Sequence, residues 1–547
     1  MNWILTILTF FPVLGAIVIG VTGRDGENDD FVRRLANIFA ISTFVISLIV
    51  LFMFDKGTAA LQMVDRFNWI PQWNIEYFMA IDGISITMIL LTTFISMLAI
   101  AGSWPIIKKS VKQYYIFVLL LETGMLGVFL AQDLFLFYIF WEFTLIPMYF
   151  IIGIWGGKQR VYASIKFFLY TMAGSLLMLV AMLYMGVQAG TFQVPELIGL
   201  DWGGAERWLF AAFAVAFAVK VPLFPFHSWL PDAHTQAPTP GSVILAGVLL
   251  KMGTYGFMRF NLPLFPNASA YFAPTIAVLA IIGIIYGAIV SFAQTDIKKL
   301  VAYSSVSHLG FVMLGIFSLN PQGLEGAILQ GVNHGISSGA LFYVVGIIYE
   351  QRHTREMKDF GGLWIAMPIF SVLTLIITLS SLGLPGLNGF VGEFTILLGS
   401  AGSAHLGATP WIYTAFAASG VILAAIYLLW MFQRVFLGPL DNPKNKELRD
   451  VNRGELAILL SFVLFIFWIG IAPSGYFDLM DESAQALVGE NGIVSEATGE
   501  YGSAFYDETA ADSHGHGDDG HHDDGHGDDD HGEEDHGSDD SLGVDGT

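Results

Sequence analysis

Seven ionisable side chains stand inside long apolar runs, and all are of types that exchange protons. Glu122 lies in LLLETGMLG, Glu142 in YIFWEFTLIP, Lys220 in FAVKVPLFPFHSW, Lys251 in AGVLLKMGTYG, His308 in YSSVSHLGF, His334 in GVNHGISSG and Glu393 in LPGLNGFVGEF. A charged group near the middle of a bilayer costs at least ~2.5–3.5 kcal/mol and persists only where it faces other helices, water or a partner. Acid, amine and imidazole groups on successive spans are what a line of proton transfers needs, because burial drives an amine down and a carboxylic acid up toward a common working pH. Each residue taken alone also has a structural reading: Glu122 as a hydrogen-bonding acid, His308 or His334 as a packing histidine. A lysine can snorkel from a helix end. Lys220 and Lys251 lie deep in their runs, so the set reads as a proton path.

The elements that must position these groups are apolar spans. The chain has 547 residues, 54% hydrophobic and 13% charged, against about 25% charged for a soluble domain. Runs of about 20 residues cross a ~30 Å hydrocarbon core. Fourteen are read, at 3–22, 35–54, 80–104, 114–131, 134–155, 162–186, 206–228, 240–260, 271–293, 300–318, 324–349, 364–400, 411–436 and 455–473. The first lacks a basic leader and is read as a retained helix. Residues 56–79 are expected at the membrane interface without crossing.

Loops after odd-numbered spans hold 19 Lys and Arg, against 4 after even-numbered spans. The excess of basic residues on the cytoplasmic side places the first set inside and both termini outside. Two spans are interrupted beside a buried charge. Pro222 and Pro225 follow Lys220, and Gly383, Pro385, Gly386 and Gly389 precede Glu393. Non-helical backbone at membrane depth is tolerated only where protein or water satisfies it. Two breaks five spans apart suggest inverted repeats. The expectation is an all-α polytopic membrane protein of about fourteen transmembrane helices in two inverted five-helix repeats, with helices 7 and 12 broken. Its segments are 1–110 (spans 1–3), 111–262 and 268–438 (the repeats), 439–478 (a loop and the last span) and 479–547 (a disordered acidic, His-rich tail).

The run from Lys220 to Gly256, KVPLFPFHSWLPDAHTQAPTPGSVILAGVLLKMGTYG, closely resembles the signature of the antiporter-like membrane subunits of respiratory complex I, the proton-translocating NADH:quinone oxidoreductase. The resemblance covers about 1–475 and is most specific over 133–400. At position 393 the family's L and N branches and Mrp-type antiporter subunits usually carry Lys, whereas this chain has Glu393 within GFVGEF, as the remaining branch does. The resemblance implies that Glu142 pairs with Lys220, that Lys251 is the central relay, that His308 and His334 bridge the second half-channel, and that Glu393 ends the outward exit. It also implies partners: other membrane-arm subunits, among them two sister antiporter-like subunits, and the lipid bilayer. NADH, FMN, iron–sulfur clusters and quinone belong to partner subunits, with no cofactor in this chain. His227, Asp232 and His234 match the signature's loop, which is placed on the outer side and read as a hydrogen-bonded tie between spans 7 and 8.

Composition excludes several other functions. Without Cys the chain forms no disulfide, thiolate nucleophile or Cys-ligated cluster. It has no Gly-rich phosphate loop and no basic stripe for nucleic acid. The net charge of −22 is concentrated in the tail, where 16 acids and 7 His stand without Lys or Arg from Asp507 onward. Tail residues His514, His516, His521, His522 and His526 are possible weak metal ligands, beside the plainer reading of a solvated acidic extension. Three alternatives to the proton pump remain: an Mrp-type Na⁺/H⁺ antiporter subunit, a membrane subunit of a related hydrogenase or ferredoxin-driven complex, and a passive scaffold.

Overall fold

The computed structural model describes residues 3–498. Short turns aside, the elements are α1 (Ile4–Thr22), α2 (Asp29–Met53), β1 (Gln62–Ile70), β2 (Ile75–Ile81), α3 (Gly83–Gly102), α4 (Val111–Leu130), α5 (Leu134–Trp155), α6 (Arg160–Ala189), α7 (Glu206–Lys220), α8 (Trp229–Gln236), α9 (Thr239–Leu264), α10 (Pro266–Phe292), α11 (Ile297–Ile316), α12 (Pro321–Arg352), α13 (Pro368–Ser381), α14 (Asn388–Ala401), α15 (Pro410–Phe436), α16 (Arg453–Ile471), α17 (Ser474–Val488) and α18 (Ile493–Thr498). Among the described residues twelve helices are long and apolar enough to cross a membrane. The chain divides the other two expected spans, 206–228 and 364–400, into α7 with α8 and α13 with α14.

Each break follows from its residues. Pro222 and Pro225 have no N–H to continue α7. The Leu223 N–H reaches back to the Ala218 carbonyl, and the Trp229 indole N–H donates to the Val219 carbonyl at 2.8 Å. In the second break Gly383 (φ 82°) and Gly386 (φ 90°) adopt the left-handed conformation that only glycine takes at little cost. The freed polar groups meet α12 and α13. Asn333 Nδ2 donates to the Asn388 carbonyl at 2.7 Å, the Ser380 hydroxyl to Asn388 Oδ1 at 2.5 Å, and the Ser337 and Ser380 hydroxyls are 2.7 Å apart.

Burial sorts the helices. The most apolar stretches of α9 and α12 are 100% buried, whereas that of α2 is 28% buried with its other side apolar and exposed. A helix buried all round belongs to the interior, and one with an apolar exposed face meets lipid. Lys251 and His334 therefore sit on the two most enclosed helices.

The structure departs from the sequence reading at three places. Residues 56–79 contain a hairpin in which β1 and β2 pair antiparallel with Phe67 opposite Tyr77. The rest of the architecture is helical, and these short strands carry no apolar run of helical length. A disordered tail was expected from 479, yet Met480, Ser483, Ala484, Leu487 and Val488 form the buried stripe of α17, and α18 reaches 498. A 15-residue amphipathic helix is too short to register as a span. The third concerns the loop after span 7.

That loop stands with the basic loops and not, as expected, at the opposite end. The Gly157 N–H donates to the Gln236 carbonyl at 2.8 Å, Lys166 Nζ pairs with Asp232 at 2.7 Å and Arg355 Nη1 donates to the Thr235 carbonyl at 2.8 Å. The physical reason is parity: a seventh crossing ends on the same side as the first, third and fifth. Other basic loops join this end through Arg33 Nη2 to the Ile107 carbonyl and Arg352 Nε to Asn445 Oδ1.

Candidate proton-relay site

Four of the stranded groups form one buried line across α9, α12, α11 and α14. Lys251 Nζ lies 2.6 Å from His334 Nδ1 and also donates to the Ala246 carbonyl. A π-helical stretch, Leu245–Leu249, ends two residues before Lys251. Such a widened turn loosens the regular ladder and recurs at functional sites, and here it leaves a carbonyl for the ammonium. The His334 and His308 ring centroids are 6.0 Å apart. His308 Nδ1 lies 2.8 Å from Glu393 Oε1, which also accepts from Gln330 Nε2 at 3.1 Å. The Tyr427 hydroxyl lies 3.3 Å from His308 Nε2. If Nδ1 donates to Glu393, Nε2 accepts from Tyr427, so one tautomer satisfies both contacts. Between the histidines a polar pocket of about 10 Å³, lined by Asn333, Ser337, Ser380 and Ser381, has room for roughly one water.

The other members stand apart from this line. Lys220 is the last residue of α7, where the helix dipole favours a cation. Its ammonium has no hydrogen-bond partner and lies 5.0 Å from the Trp141 ring centre and 5.9 Å from that of Phe167. Glu142 stands near Ser175, Tyr138 and Lys220, but no ion pair joins it to Lys220 among the described residues. Glu122 is fully buried with both carboxyl oxygens unpartnered, so the reading of it as a hydrogen-bonding acid does not hold in this structure. Lys220 is nevertheless carried close to α9. A Cβ on Gly253 would lie 2.8 Å from the Phe217 carbonyl, so glycine there lets α7 and α9 touch two residues from Lys251.

In the loop of the signature, expected to tie spans 7 and 8, Asp232 instead binds Lys166 of α6. His227 packs between Phe224 and Tyr286 with Nδ1 unpartnered. His234 makes no side-chain hydrogen bond at all. Gln330, Tyr427 and Asn388 were not singled out by sequence. Gln330 lies one helical turn before His334, a spacing that puts both on one face, whereas nothing near Tyr427 in sequence marks it. Among the described residues no group of three or more His, Asp or Glu converges to hold a metal. The tail histidines lie outside the described residues.

A model of the family described as NADH:quinone oxidoreductase/Mrp antiporter, transmembrane, matches residues 131–416, and one of the NADH-ubiquinone oxidoreductase chain 4 amino terminus matches 33–130. NADH-quinone oxidoreductase subunit M of Rhodobacter capsulatus is 44% identical over 518 residues, covering 91% of this chain and 99% of the relative. The chain belongs to the subunit M family. Consistent with this membership, a chain of respiratory complex I from Thermus thermophilus with bound NADH superposes with a TM-score of 0.79 at 31% identity, over 88% of this chain and 99% of that one. A chain of the Mrp complex from Dietzia sp. DQ12-45-1b shares the fold, with a TM-score of 0.75 at 24% identity over 89% of this chain and 52% of that one. All six candidate residues, from Glu142 to Glu393, fall within the 131–416 match. The chain is thus a multi-pass membrane protein of the subunit M family, with its buried polar line inside the family's matched region.

Proposed function

We propose that this chain is a proton-translocating membrane-arm subunit of a bacterial NADH:quinone oxidoreductase, beside two sister antiporter-like subunits in the inner membrane. Electron transfer from NADH to quinone, with its FMN and iron–sulfur clusters, belongs to partner subunits. The reading includes fourteen crossings, two inverted repeats and both termini outside. The observation that carries it is the buried line of Lys251 on His334 and of His308 on Glu393, with the two histidine rings 6.0 Å apart across a polar pocket of water size.

In this reading Glu142 controls the supply of protons. Two unit charges 4 Å apart at an effective dielectric near 20 attract by about 4 kcal/mol, roughly three pKa units. Glu142 brought against Lys220 holds the ammonium charged. Glu142 withdrawn by a neighbouring subunit leaves Lys220 over Trp141 and Phe167 without a counter-charge, and the proton moves on to Lys251 and along the line to Glu393. One charge moved against 100 mV costs ~2.3 kcal/mol, so making and breaking this one contact is large enough to drive the step.

The test is Glu142→Gln and Lys220→Ala in the assembled complex. Both variants are expected to lose most proton pumping while assembling normally. An unchanged proton-to-electron ratio sinks the assignment, and reduced assembly with normal pumping favours the scaffold. The Mrp-type reading has the shared fold in its favour, but its usual lysine at position 393 is replaced here by the Glu393 that His308 and Gln330 engage.

A further inference from the structure

The bundle leaves a gap between α2 and α16. A cavity of about 280 Å³ lies there, walled by Leu51 of α2, Leu90 of α3, Ile336 of α12 and Phe465 of α16, with Tyr476 and Leu479 of α17 at one end. It opens sideways at membrane depth: the apolar stretch of α3 is 83% buried, yet Leu90 on that helix stays part exposed. Packed interiors hold few voids larger than a water molecule. This one is several times the ~30 Å³ that a water occupies in the liquid, and water would find almost no partner in it. Of the lining side chains only Thr87, Trp468 and Tyr476 carry a polar atom, and the Thr87 hydroxyl already donates to the Ile84 carbonyl at 2.8 Å.

The end formed by α17 carries charge. α16 runs away from the basic end, and α17 follows it at the far end. There Lys56, just past α2, pairs with Asp478 of α17 at 2.6 Å, with 59% and 49% of the two side chains exposed. Asp478 directly precedes Leu479 of the cavity wall. Trp468 and Tyr476 also line this end, their ring centroids 5.7 Å apart, and these are the ring types that collect at the headgroup level of a bilayer. An apolar slot that opens to lipid is thus topped by amphipathic rings and by one cation and one anion.

We propose that this slot binds a zwitterionic phospholipid whose head carries an ammonium. One acyl chain enters between α2 and α16 and lies against Leu90 and Ile336, the phosphate meets Lys56, and the ammonium meets Asp478. Charge complementarity selects this occupant. An anionic head satisfies Lys56 alone and sets like charge against Asp478, whereas a zwitterion answers both. The buried side of the slot is not remote from the polar line. A Cβ on Gly335 would lie 2.9 Å from a methyl carbon of Leu91, another wall residue, so the chain backs the stretch of α12 that holds His334. The binding does not depend on what that line carries.

The experiment places the assembled complex in vesicles of equal parts phosphatidylethanolamine and phosphatidylglycerol. Each vesicle set carries a trace of one of these two lipids with a diazirine in one acyl chain. After illumination, the labelled peptides are mapped by mass spectrometry. Lipid around the complex marks the exposed faces of α2 and α16, and only a chain in the slot marks α3 at Leu90. The phosphatidylethanolamine probe is expected to mark α3 more strongly than the phosphatidylglycerol probe, by up to about fivefold for one exposed charge contact. Leu48→Trp, which fills the mouth of the slot, is expected to remove the α3 mark. Asp478→Asn is expected to raise the phosphatidylglycerol probe to the level of the other. Assembly of the variants is scored first, and the comparison of the two probes on the parent stands without them. Absence of the α3 mark overturns the proposal, because the slot is then empty or covered by a neighbouring subunit. Equal marking of the parent by both probes overturns it too, as does a mark that survives Leu48→Trp or a preference that survives Asp478→Asn.

Discussion

Residue chemistry at this site is a matter of who touches whom. Glu393 is buried against His308 and Gln330, with its second oxygen unpartnered. Removing one member of a buried hydrogen-bonded pair leaves the other unsatisfied, at a cost of about 1–3 kcal/mol. His308→Ala is therefore expected to lower both pumping and the thermal resistance of the subunit to dissociation from the purified complex. His308→Gln keeps a donor for Glu393, and should lose pumping alone. Equal thermal behaviour of the two variants would show that the contact has no structural weight.

Asp133 supplies a pH dependence that can be signed. It caps α5, accepting from the Phe135 and Leu136 N–H groups at 2.9 and 3.0 Å, and its other oxygen accepts from the Glu76 N–H. Burial is the main cause that raises its carboxyl from 3.8 to about 6, against the opposing pull of these bonds. The folded state then holds the proton more tightly than the unfolded state does. Stability from this group is full below about pH 4 and falls as pH rises to about 6, by up to ~3 kcal/mol. Asp133→Asn keeps the capping oxygen and removes the titration, so its thermal stability should vary less between pH 4 and 7 than that of the parent. A parallel pH profile for both proteins would refute this.

At the scale of elements, the hairpin serves as a clamp on the first helix. Asp65 of β1 is fully buried and accepts from the Trp3 N–H at 2.9 Å and from the Thr6 N–H and hydroxyl at 3.0 and 2.9 Å. These are donors at the open end of α1, which a carboxylate satisfies as a helix cap does. Asp65→Ala is expected to cost about 1–2 kcal/mol, read as a lower temperature of subunit dissociation, with Asp65→Asn keeping most of the stability. Arg66 ties the same strand to Glu76 and Gln193, so the clamp also reaches the segment between α6 and α7. The strands are nine and seven residues long and neither alternates cleanly between buried and exposed, so beside spans of twenty they leave little signal in the sequence. The breaks in α7–α8 and α13–α14 were legible because proline and glycine act through their own backbone, whatever packs around them.

Over the whole molecule, the two ends differ in charge, and the loop after span 7 belongs to the basic one. The chain has no cysteine, so single cysteines report on sides. Lys158→Cys and Gln236→Cys, both lining a cavity at the basic end, are expected to react with a membrane-impermeant maleimide from one face of the membrane. Trp73→Cys, 64% exposed beside the hairpin turn, is expected to react from the other. Labelling of Gln236→Cys together with Trp73→Cys would overturn the placement of that loop.

Sequence alone determined which residues are stranded in apolar spans, where two spans break and how positive charge divides between loops, because each of these is a property of a residue and its near neighbours along one chain. Tertiary structure decided the rest. Lys251 meets His334 across 83 positions and His308 meets Glu393 across 85, while Glu142 and Lys220, expected to pair, form no ion pair among the described residues. His234, expected to tie two spans, bonds to nothing through its ring. Helical periodicity says which face of its own helix a side chain occupies, but the rotation and depth at which one buried helix meets another depend on packing summed over many contacts.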